Sequence, residues 1–166
     1  MTNIVVIGTP AQQALVTEGL DKATIDIDGK LRNPYRIEFH TTAEFVAKGY
    51  VFANGRVNWG RVVGARVLWV NGTICQRRPY RGVYVSIHEL GHAMDSDWNT
   101  ASKHAELVKL MPTVPAGTGW RKGAYLNRPS EIYADAFVEA VMKNADSFHT
   151  SNAPVEARRE LDQTIR

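Results

Sequence analysis

The sequence predicts an α+β fold, and three observations support that prediction. The chain has 166 residues, of which 44% are hydrophobic and 22% are charged, a composition typical of one compact globular domain. Segments with strand-like patterns are concentrated in the first half, whereas the second half has helical spacing almost throughout. Strands followed by helices are typical of α+β proteins and not of alternating α/β folds. We therefore expect a single domain over residues 1–166, with a small twisted sheet and a helical C-terminal half.

The strand-like segments of the first half are short. Residues 4–7 form an apolar run that ends in a Gly-Thr-Pro turn signal, and residues 24–28 and 35–40 alternate apolar and polar side chains. An Asn-Gly pair separates the segments 66–70 and 73–76. This pair predicts a tight hairpin, because it readily supplies the positive φ angles that such a turn needs.

Helical spacing of apolar residues predicts most of the remaining elements. The predicted helices are residues 11–23, 43–50, 83–94, 102–111, 129–144 and 154–165. Pro129 favours a helix start, because proline fixes the φ angle of the first turn and needs no hydrogen bond there. The segment 113–123 is rich in proline and glycine and is predicted to be a loop.

The composition argues against several classes of protein. No apolar run reaches the ~18–20 residues that a membrane-spanning helix requires, so membrane insertion is not expected. The N-terminus has no basic leader and no cleavage site of small residues. We therefore expect a chain that stays in the cytoplasm, is released by lysis, or is delivered within a larger particle or toxin. The single cysteine, Cys75, can form neither an internal disulfide nor a cysteine-based zinc site.

Positive charge is concentrated in a basic segment between Glu44 and Glu89, where no acidic residue occurs. Its basic residues are Lys48, Arg56, Arg61, Arg66, Arg77, Arg78 and Arg81. Such a segment can attract an acidic peptide, a nucleic acid or an anionic surface, or it can be a solvated face whose arginines pair with acids elsewhere. The sequence favours the solvated face, because nucleic-acid-binding proteins usually have denser basic clusters within recognisable modules.

His88, Glu89 and His92 form the pattern His-Glu-x-x-His on a predicted helix. Residues four apart lie on one face, about 6 Å apart along the axis, so the two imidazoles can share a metal ion at Zn–N distances of about 2.0–2.1 Å. Glu89 points about 100° around the helix and lies beside such a metal. Zinc lowers the pKa of a bound water to about 7, and a carboxylate placed there can accept its proton during attack on a carbonyl.

The alternative for this helix is an ordinary buried helix with two packed histidines. Gly91 stands in its middle, where glycine costs about 1 kcal/mol relative to alanine. This cost indicates that another element packs very close to Gly91.

A zinc site with two histidines needs a third protein ligand and an open fourth position. Asp95 is nearest in sequence, but it lies about 10.5 Å along the helix axis from His88. We therefore expect Asp95 to be a helix-end group or to orient a ligand. A third histidine six residues after His92 is excluded, because Trp98 occupies that position.

Glu131 and Asp135 are the better candidates, since they lie four residues apart on a mostly apolar predicted helix. Two carboxylates that face inward are costly unless they are paired or bind a metal. We expect Glu131 to be the third ligand and Asp135 to accept a hydrogen bond from a ligand histidine, which would fix the orientation of that ring. The alternative is a helix edge that exposes both carboxylates to water.

The segments 88–95 and 129–137, with the sequences HELGHAMD and PSEIYADAF, resemble the gluzincins. These zinc peptidases combine His-Glu-x-x-His with a distant glutamate ligand. The resemblance is closer to the catalytic domain of the anthrax lethal factor family and more distant to the Pro-Pro endopeptidases, and it covers residues 83–142. It implies a zincin-like fold, one zinc ion per chain, and hydrolysis of a protein or peptide substrate.

The same resemblance implies a role for Tyr125, because in that family a tyrosine shortly before the ligand glutamate helps to stabilise the oxyanion. Removing one such donor typically costs about 10²–10³-fold in rate. His104 and Arg128 are the other possible donors. Tyr133 lies two residues after Glu131 and is expected to face away from it.

Other zinc hydrolases have related motifs. Peptide deformylases need a cysteine ligand in a Glu-Gly-Cys motif well upstream, whereas Cys75 follows Thr-Ile only 13 residues before His88, which excludes that family. We expect Cys75 to be a small residue of the predicted hairpin. Two alternatives stay open: an intracellular peptidase that cleaves phage-type repressors, and a non-catalytic zinc-containing binding or structural protein with a basic face.

The predicted enzyme is a zinc metalloendopeptidase whose sheet lies beside the helix of His88 and whose site is closed by the helix of Glu131. An extended substrate is expected to add to an edge strand through main-chain hydrogen bonds. The hairpin 66–76 is the predicted edge. The loop 112–123 is predicted to flank the cleft as a wall or lid, because long loops in compact domains are often functional.

Overall fold

A computed structural model of the chain describes residues 2–115, 117–142 and 153–165. Within these residues four strands and eight α-helices form an α+β structure, which confirms the predicted class. None of the helices in these ranges is long and apolar enough to cross a membrane. That all residues 1–166 belong to one domain stays a prediction.

The four strands form one mixed sheet. They are β1 (Ile4–Ile7), β2 (Tyr35–His40), β3 (Gly60–Gly64) and β4 (Val67–Asn71), in the spatial order β1-β2-β4-β3. Strand β2 is parallel to both β1 and β4, whereas β3 is antiparallel to β4. Strands β1 and β3 are therefore the two edges of the sheet.

The helices surround this sheet and form most of the second half of the chain. They are α1 (Pro10–Lys22), α2 (Ile27–Lys30), α3 (Thr42–Ala47), α4 (Gly72–Arg77), α5 (Pro79–Trp98), α6 (Ala101–Val108), α7 (Pro129–Val141) and α8 (Val155–Ile165). A short 3-10 helix, Tyr125–Asn127, precedes α7. Proline occupies the first turn of α1, α5 and α7, where its missing N–H group costs no hydrogen bond.

The main core combines residues from the sheet with residues from α1 and α5. Ile37 and Leu68 of the central strands, Ile87 and Leu90 of α5, and Val16 of α1 belong to one cluster of fully buried side chains. Full burial of each such side chain contributes about 1.5–3 kcal/mol. Because most of α5 is buried, its polar residues need partners inside the protein.

A second core cluster joins α6, α7 and α8. Leu107, Met111, Ile132, Ala136 and Leu161 are its most buried members. Helix α7 therefore packs on both sides, against α5 on one and against α8 on the other.

Helices α5 and α7 approach each other most closely at Gly91. A Cβ atom at Gly91 would lie 3.2 Å from the Ala134 Cα atom and 3.2 Å from Phe137 Cβ, which is tighter than most packed Cβ contacts. The close packing that the sequence predicted at this glycine is confirmed. It allows α7 to lie directly against the helix that carries the histidine motif.

The predicted hairpin over residues 66–76 is wrong. The side chain of Asn71 accepts a hydrogen bond of 3.2 Å from the Ile74 N–H group and starts α4 instead of a turn. Asparagine caps helices as readily as it forms tight turns, so the local pattern fits both structures. Cys75 is consequently a buried helical residue. Strand β4 pairs with β3 through a turn at residues 65–66.

The predicted strand over residues 24–28 is also wrong. Asp26 accepts a hydrogen bond of 2.8 Å from the Gly29 N–H group and caps the short helix α2. Asp28 accepts one of 2.8 Å from the N–H group of Ile4. Aspartate side chains can satisfy nearby backbone groups and so compete with strand pairing.

The other predicted strands and helices are confirmed, with ends that differ by several residues. The helix predicted over 43–50 ends at Ala47, and the helix predicted over 83–94 extends to twenty residues as α5. The described part of the segment 113–123 contains neither helix nor strand, as predicted. Residues 143–144, the end of one predicted helix, lie outside the described residues.

Candidate metal centre

Helix α5 carries three residues whose side chains meet. His88, Glu89 and His92 offer ligand atoms that all lie within 4.8 Å of one another. The four-residue spacing places both histidine rings on one face of the helix, and their centroids are 5.1 Å apart. Imidazole nitrogens and a carboxylate oxygen at such separations are compatible with a shared metal ion.

Helix α7 adds a second carboxylate to this group. The Glu131 Oε2 atom lies 3.4 Å from His88 Nε2 and 3.7 Å from His92 Nε2. Tetrahedral ligands at about 2.0–2.2 Å from zinc are about 3.3–3.6 Å from one another. The structure thus brings together the three residues that the sequence proposes as ligands. The 3.4 Å separation lies within this range and the 3.7 Å separation just above it; that the three residues bind the ion stays a prediction.

Asp135 lies behind His88. Its Oδ1 atom is 2.9 Å from His88 Nδ1, and it also accepts a hydrogen bond of 2.6 Å from the hydroxyl of Tyr84. An ionised carboxylate only accepts hydrogen bonds, so Nδ1 of His88 donates to Asp135, and Nε2 faces Glu131. Tyr84 was not among the predicted site residues, although its position four residues before His88 places it on the same helix face.

The two histidines and Glu131 perturb one another's protonation. Burial lowers the pKa of His88, but hydrogen bonds with Asp135 and Glu131 outweigh burial and raise the pKa well above its usual value. Burial raises the pKa of Glu131, but the charge of His92 and the hydrogen bond with His88 outweigh it and hold the pKa well below the usual range. The carboxylate of Glu131 is therefore ionised and able to bind a cation.

Glu89 is buried beside the candidate ligand atoms of His88, His92 and Glu131. Its carboxylate differs from that of Glu131 in its pKa shift and in its hydrogen bonds. Burial raises its pKa, although the charges of His92 and His88 oppose the shift. Its Oε2 atom is buried and has no hydrogen-bond partner among the described residues. A buried carboxylate oxygen without a partner is costly and is typical of a functional site.

Gly60, the first residue of β3, creates the space for Glu89. A Cβ atom at Gly60 would lie 2.8 Å from the Glu89 Cδ atom and closer still to Oε1, so any larger residue would displace the carboxylate. The edge strand β3 therefore passes directly against Glu89. The sequence contains no signal for this contact, because it joins a strand and a helix that are far apart in the chain.

Tyr125, in the 3-10 helix before α7, also lies beside Glu89 and Glu131. Burial raises the pKa of its hydroxyl, the negative charges of Glu131 and Glu89 raise it further, and a hydrogen bond to Glu131 adds to the shift. The phenol is therefore protonated at neutral pH and can donate a hydrogen bond. Its ring contacts Phe52 at a centroid distance of 4.8 Å.

Asp95 lies near the C-terminal end of α5. Of the two roles expected from the sequence, its contacts fit that of a helix-end group and not that of a residue that orients a metal ligand. It accepts hydrogen bonds from His104 Nε2 at 2.7 Å, Trp120 Nε1 at 2.8 Å and Asn99 Nδ2 at 2.9 Å. These hydrogen bonds involve neither of the two motif histidines. Because His104 uses Nε2 on Asp95 and stacks on Trp120, the structure does not bring it into the His88 cluster as an oxyanion donor.

Tyr133 and Arg128 also differ in whether they lie near Glu131. Tyr133 is buried in the second core cluster, with its ring 5.8 Å from that of Trp120, and it faces away from Glu131 as predicted. Arg128 instead lies at the candidate metal centre, with Nη1 3.8 Å from Glu131 Oε1. Arg128 thus stays beside Tyr125 as a possible donor.

A cleft with two unlike halves passes over this centre. The larger half is a cavity of about 760 Å³ lined mainly by apolar and aromatic groups, among them Phe52, Trp59, Tyr84, Val85 and Leu126. The smaller half is a cavity of about 460 Å³ with polar lining that includes Arg61, Arg121, Arg128, His92 and Glu131. Both halves share the residues Phe52, Ala53, Gly60, Glu89 and Tyr125. Glu89 therefore lies at the junction of the two halves.

The basic segment is largely the solvated face that the sequence favoured, since all of its basic residues except Arg81 are exposed. Arg56 and Arg81 line the larger half of the cleft and Arg61 lines the smaller half. The ion pairs formed between described residues include none of the seven basic residues of this segment. The predicted pairing of these arginines with distant acids is therefore not observed, and three of them belong to the cleft.

Unpartnered buried polar atoms are concentrated in this cleft. Within the described residues five buried side-chain atoms have no hydrogen-bond partner: Asn58 Oδ1, Arg81 Nε, Glu89 Oε2, Thr113 Oγ1 and Arg128 Nε. All of them except the threonine belong to residues that line one half of the cleft or both. Native proteins satisfy most buried polar groups, so such a concentration makes this cleft the candidate functional surface.

Comparison of the chain with models of protein families, with curated proteins and with solved structures found no match.

Proposed function

We propose that this protein is a zinc-dependent endopeptidase. One observation carries the proposal: a single oxygen of Glu131 lies 3.4 Å and 3.7 Å from the Nε2 atoms of His88 and His92. In this proposal the two histidines and Glu131 hold the ion, and Glu89 acts as the general base.

The donor set supports zinc over harder divalent cations. Two imidazole nitrogens and one carboxylate are a common ligand set of catalytic zinc and leave a fourth position open, whereas calcium and magnesium prefer oxygen ligands throughout. Asp135 supports the same choice, because a carboxylate behind a ligand histidine fixes the tautomer and orientation of the ring.

Glu89 is placed to move the proton of an attacking water molecule. When bound by His88, His92 and Glu131, zinc would supply the Lewis acid that polarises a peptide carbonyl and activates water. The unpartnered Oε2 atom of Glu89 can accept the proton of that water and later donate it to the leaving amine. Burial raises the pKa of Glu89, which makes the carboxylate a stronger base.

Tyr125 is the proposed donor to the oxyanion. Its hydroxyl stays protonated at neutral pH and lines both halves of the cleft, where the scissile carbonyl would lie. Preorganised donors in a buried site stabilise developing negative charge strongly. Arg128 lines the smaller half only and is the alternative donor.

Strand β3 is the proposed edge to which the substrate adds, in place of the predicted hairpin 66–76. It is an edge of the sheet, and Gly60 lies against Glu89. An extended peptide that pairs with β3 is held by main-chain hydrogen bonds independent of its sequence. This arrangement and the resemblance of residues 83–142 to the gluzincins support a zincin-like architecture.

Cleavage of an unbiased peptide library tests the proposal. The zinc-loaded wild-type protein is expected to cleave internal peptide bonds, and Glu89→Gln is expected to reduce the rate by about 10²–10⁴-fold because the general base is lost. The variant should retain its zinc, since Glu89 is not one of the three proposed ligands. Mass spectrometry of the products and elemental analysis of both proteins provide the two readouts.

The outcomes separate the alternatives. Zinc binding without cleavage of any peptide would favour a non-catalytic zinc-containing protein and overturn the proposal. Loss of zinc in Glu89→Gln would contradict the division of roles between Glu89 and Glu131.

A further inference from the structure

Three arginines from separate parts of the chain surround the smaller half of the cleft. Arg61 lies on β3, Arg121 in the loop before the 3-10 helix, and Arg128 directly before α7. All three line the same cavity as Glu89 and Glu131. Their convergence depends on the tertiary fold, since they come from positions spread over nearly seventy residues.

The positive charge in this cavity exceeds what its own carboxylates neutralise. Among the described residues that line it, Glu89 and Glu131 are the only acidic ones, and both face the candidate metal centre. Arg128 Nη1 lies 3.8 Å from Glu131 Oε1, whereas the ion pairs among the described residues include neither Arg61 nor Arg121, so these two arginines have no paired carboxylate. The Nε atom of Arg128 is buried without a hydrogen-bond partner, which adds an unused donor.

We propose that the smaller half of the cleft is a carboxylate-binding subsite. A peptide substrate places a carboxylate against Arg61, Arg121 and Arg128, directly beside the scissile bond at Glu89. This rests on the proposed function for the position of the scissile bond, whereas binding of the carboxylate requires no cleavage.

The size of the subsite supports a single carboxylate side chain over a nucleic acid. Guanidinium groups bind carboxylates and phosphates in the same planar, two-pronged geometry, so the choice between the two ligands rests on the space that is present. The three arginines line one cavity of about 460 Å³ at the end of an edge strand, which suits a single side chain of a peptide that pairs with β3. The larger half of the cleft, with its aromatic lining, accepts an apolar side chain on the other side of Glu89.

The test uses zinc-loaded Glu89→Gln protein, which binds peptides without cleaving them, and a positional library of labelled decapeptides that contain glutamate or glutamine at each position. Fluorescence anisotropy is expected to show about tenfold tighter binding for glutamate at one position, as expected for one charge-assisted hydrogen bond. Raising the ionic strength should weaken this preference, because exposed charges are screened.

Arginine variants and a lysine control locate the subsite. Arg61→Gln and Arg121→Gln, each added to Glu89→Gln, should remove most of the preference for glutamate and leave binding of the glutamine peptides unchanged. Lys122→Gln is the matched control, because Lys122 is an exposed neighbour of Arg121 that does not line the cavity. Equal binding of glutamate and glutamine peptides, or an equal loss in every arginine variant for both, overturns the proposal.

Peptides with a free or an amidated C-terminus distinguish the two possible sources of the carboxylate. A preference for internal glutamate that survives amidation assigns the subsite to an acidic side chain. A preference that depends on the free terminus assigns it to the chain end. Tight binding of single-stranded oligonucleotides that displaces both kinds of peptide and is lost in the Arg61→Gln and Arg121→Gln variants would contradict both assignments.

The two proposals can fail separately. Cleavage by the wild-type protein without any carboxylate preference overturns the subsite and leaves the peptidase. A carboxylate preference in binding without cleavage by the wild-type protein overturns the peptidase and leaves the subsite.

Discussion

Two buried aspartates each accept hydrogen bonds from a histidine and from an aromatic side chain. Asp135 is 2.9 Å from His88 Nδ1 and also accepts from a tyrosine hydroxyl. Asp95 is 2.7 Å from His104 Nε2 and also accepts from a tryptophan N–H group. Both aspartates are almost fully buried. The Asp135 cluster (Asp135, His88 and Tyr84) and the Asp95 cluster (Asp95, His104 and Trp120) therefore resemble each other in chemistry and in environment.

The difference between the clusters lies in the second nitrogen of each histidine. His88 directs Nε2 toward the Glu131 carboxylate, and His92 approaches the same oxygen. The ring of His104 stacks on Trp120 at a centroid distance of 4.0 Å. A carboxylate–histidine pair therefore becomes a candidate metal centre only when the other ring nitrogen meets further ligands. The Asp95 cluster instead joins the end of α5 to α6 and to the following loop.

The largest expected difference between the clusters is the effect on zinc content of replacing the histidine of each. His88→Asn is expected to lose stoichiometric zinc and all detectable peptide cleavage, because two ligands remain at an incomplete site. His104→Asn is expected to retain one zinc per chain. Elemental analysis after dialysis against a weak chelator measures both, and circular dichroism confirms that both variants fold. Similar zinc contents in the two variants would remove the distinction.

Two tyrosines provide the next comparison. Tyr125 lies at the candidate metal centre, whereas Tyr133 contacts Trp120 of the Asp95 cluster. Tyr125→Phe is expected to lower kcat by about 10²–10³-fold with little change in KM, because the hydroxyl acts on the developing oxyanion. Tyr133→Phe should leave kcat unchanged. A comparable fall in kcat for Tyr133→Phe would show that packing, and not a hydrogen bond to the oxyanion, explains the effect.

Two glycines of β3 test how the edge strand positions Glu89. Gly60→Ala is expected to lower kcat by up to about 10²-fold, because displacement of a catalytic group by about 1 Å can cost that much. Zinc content should not change. Gly64→Ala is the control, since a Cβ atom there would meet nothing closer than 3.9 Å. Unaltered kinetics for Gly60→Ala would show that kcat does not depend on the present position of the Glu89 carboxylate.

The smallest expected effects come from the two aspartates. Asp135→Asn is expected to weaken zinc affinity by about 10–100-fold, as is typical when the partner of a ligand histidine changes. Asp95→Asn should leave zinc affinity unchanged and lower the free energy of unfolding by about 1–3 kcal/mol, because buried donors lose a charged acceptor. Competition with a chromogenic chelator and urea unfolding measure the two quantities. Weaker zinc binding in Asp95→Asn would mean that the two clusters are coupled.

The parts of the site that lie on single helices were predictable from the sequence. The four-residue spacing of His88 and His92, and that of Glu131 and Asp135, follows from helix geometry alone. The cost of burying two carboxylates then indicated that the second helix faces the first. Tyr84 carries the same spacing signal relative to His88 and could have been found in this way.

The contacts between distant elements were not predictable. The approach of Gly60 to Glu89 depends on which strand forms the edge of the sheet, and that choice depends on whether Asn71 forms a turn or caps a helix. Both outcomes satisfy the local preferences of an Asn-Gly pair, so only tertiary packing decides between them. Arg61 and Arg121 line one cavity for the same reason, because tertiary packing and not local sequence brings them together.

Zinc content and coordination in wild-type protein and in Glu131→Ala test the central claim most directly. We expect one zinc ion per chain in the wild type, with X-ray absorption showing two imidazole nitrogens and oxygen ligands at about 2.0–2.2 Å. Glu131→Ala should fold but lose the ion under the same conditions. Wild-type zinc content in Glu131→Ala, with an unchanged absorption spectrum, would contradict the three-ligand site and the peptidase mechanism that depends on it.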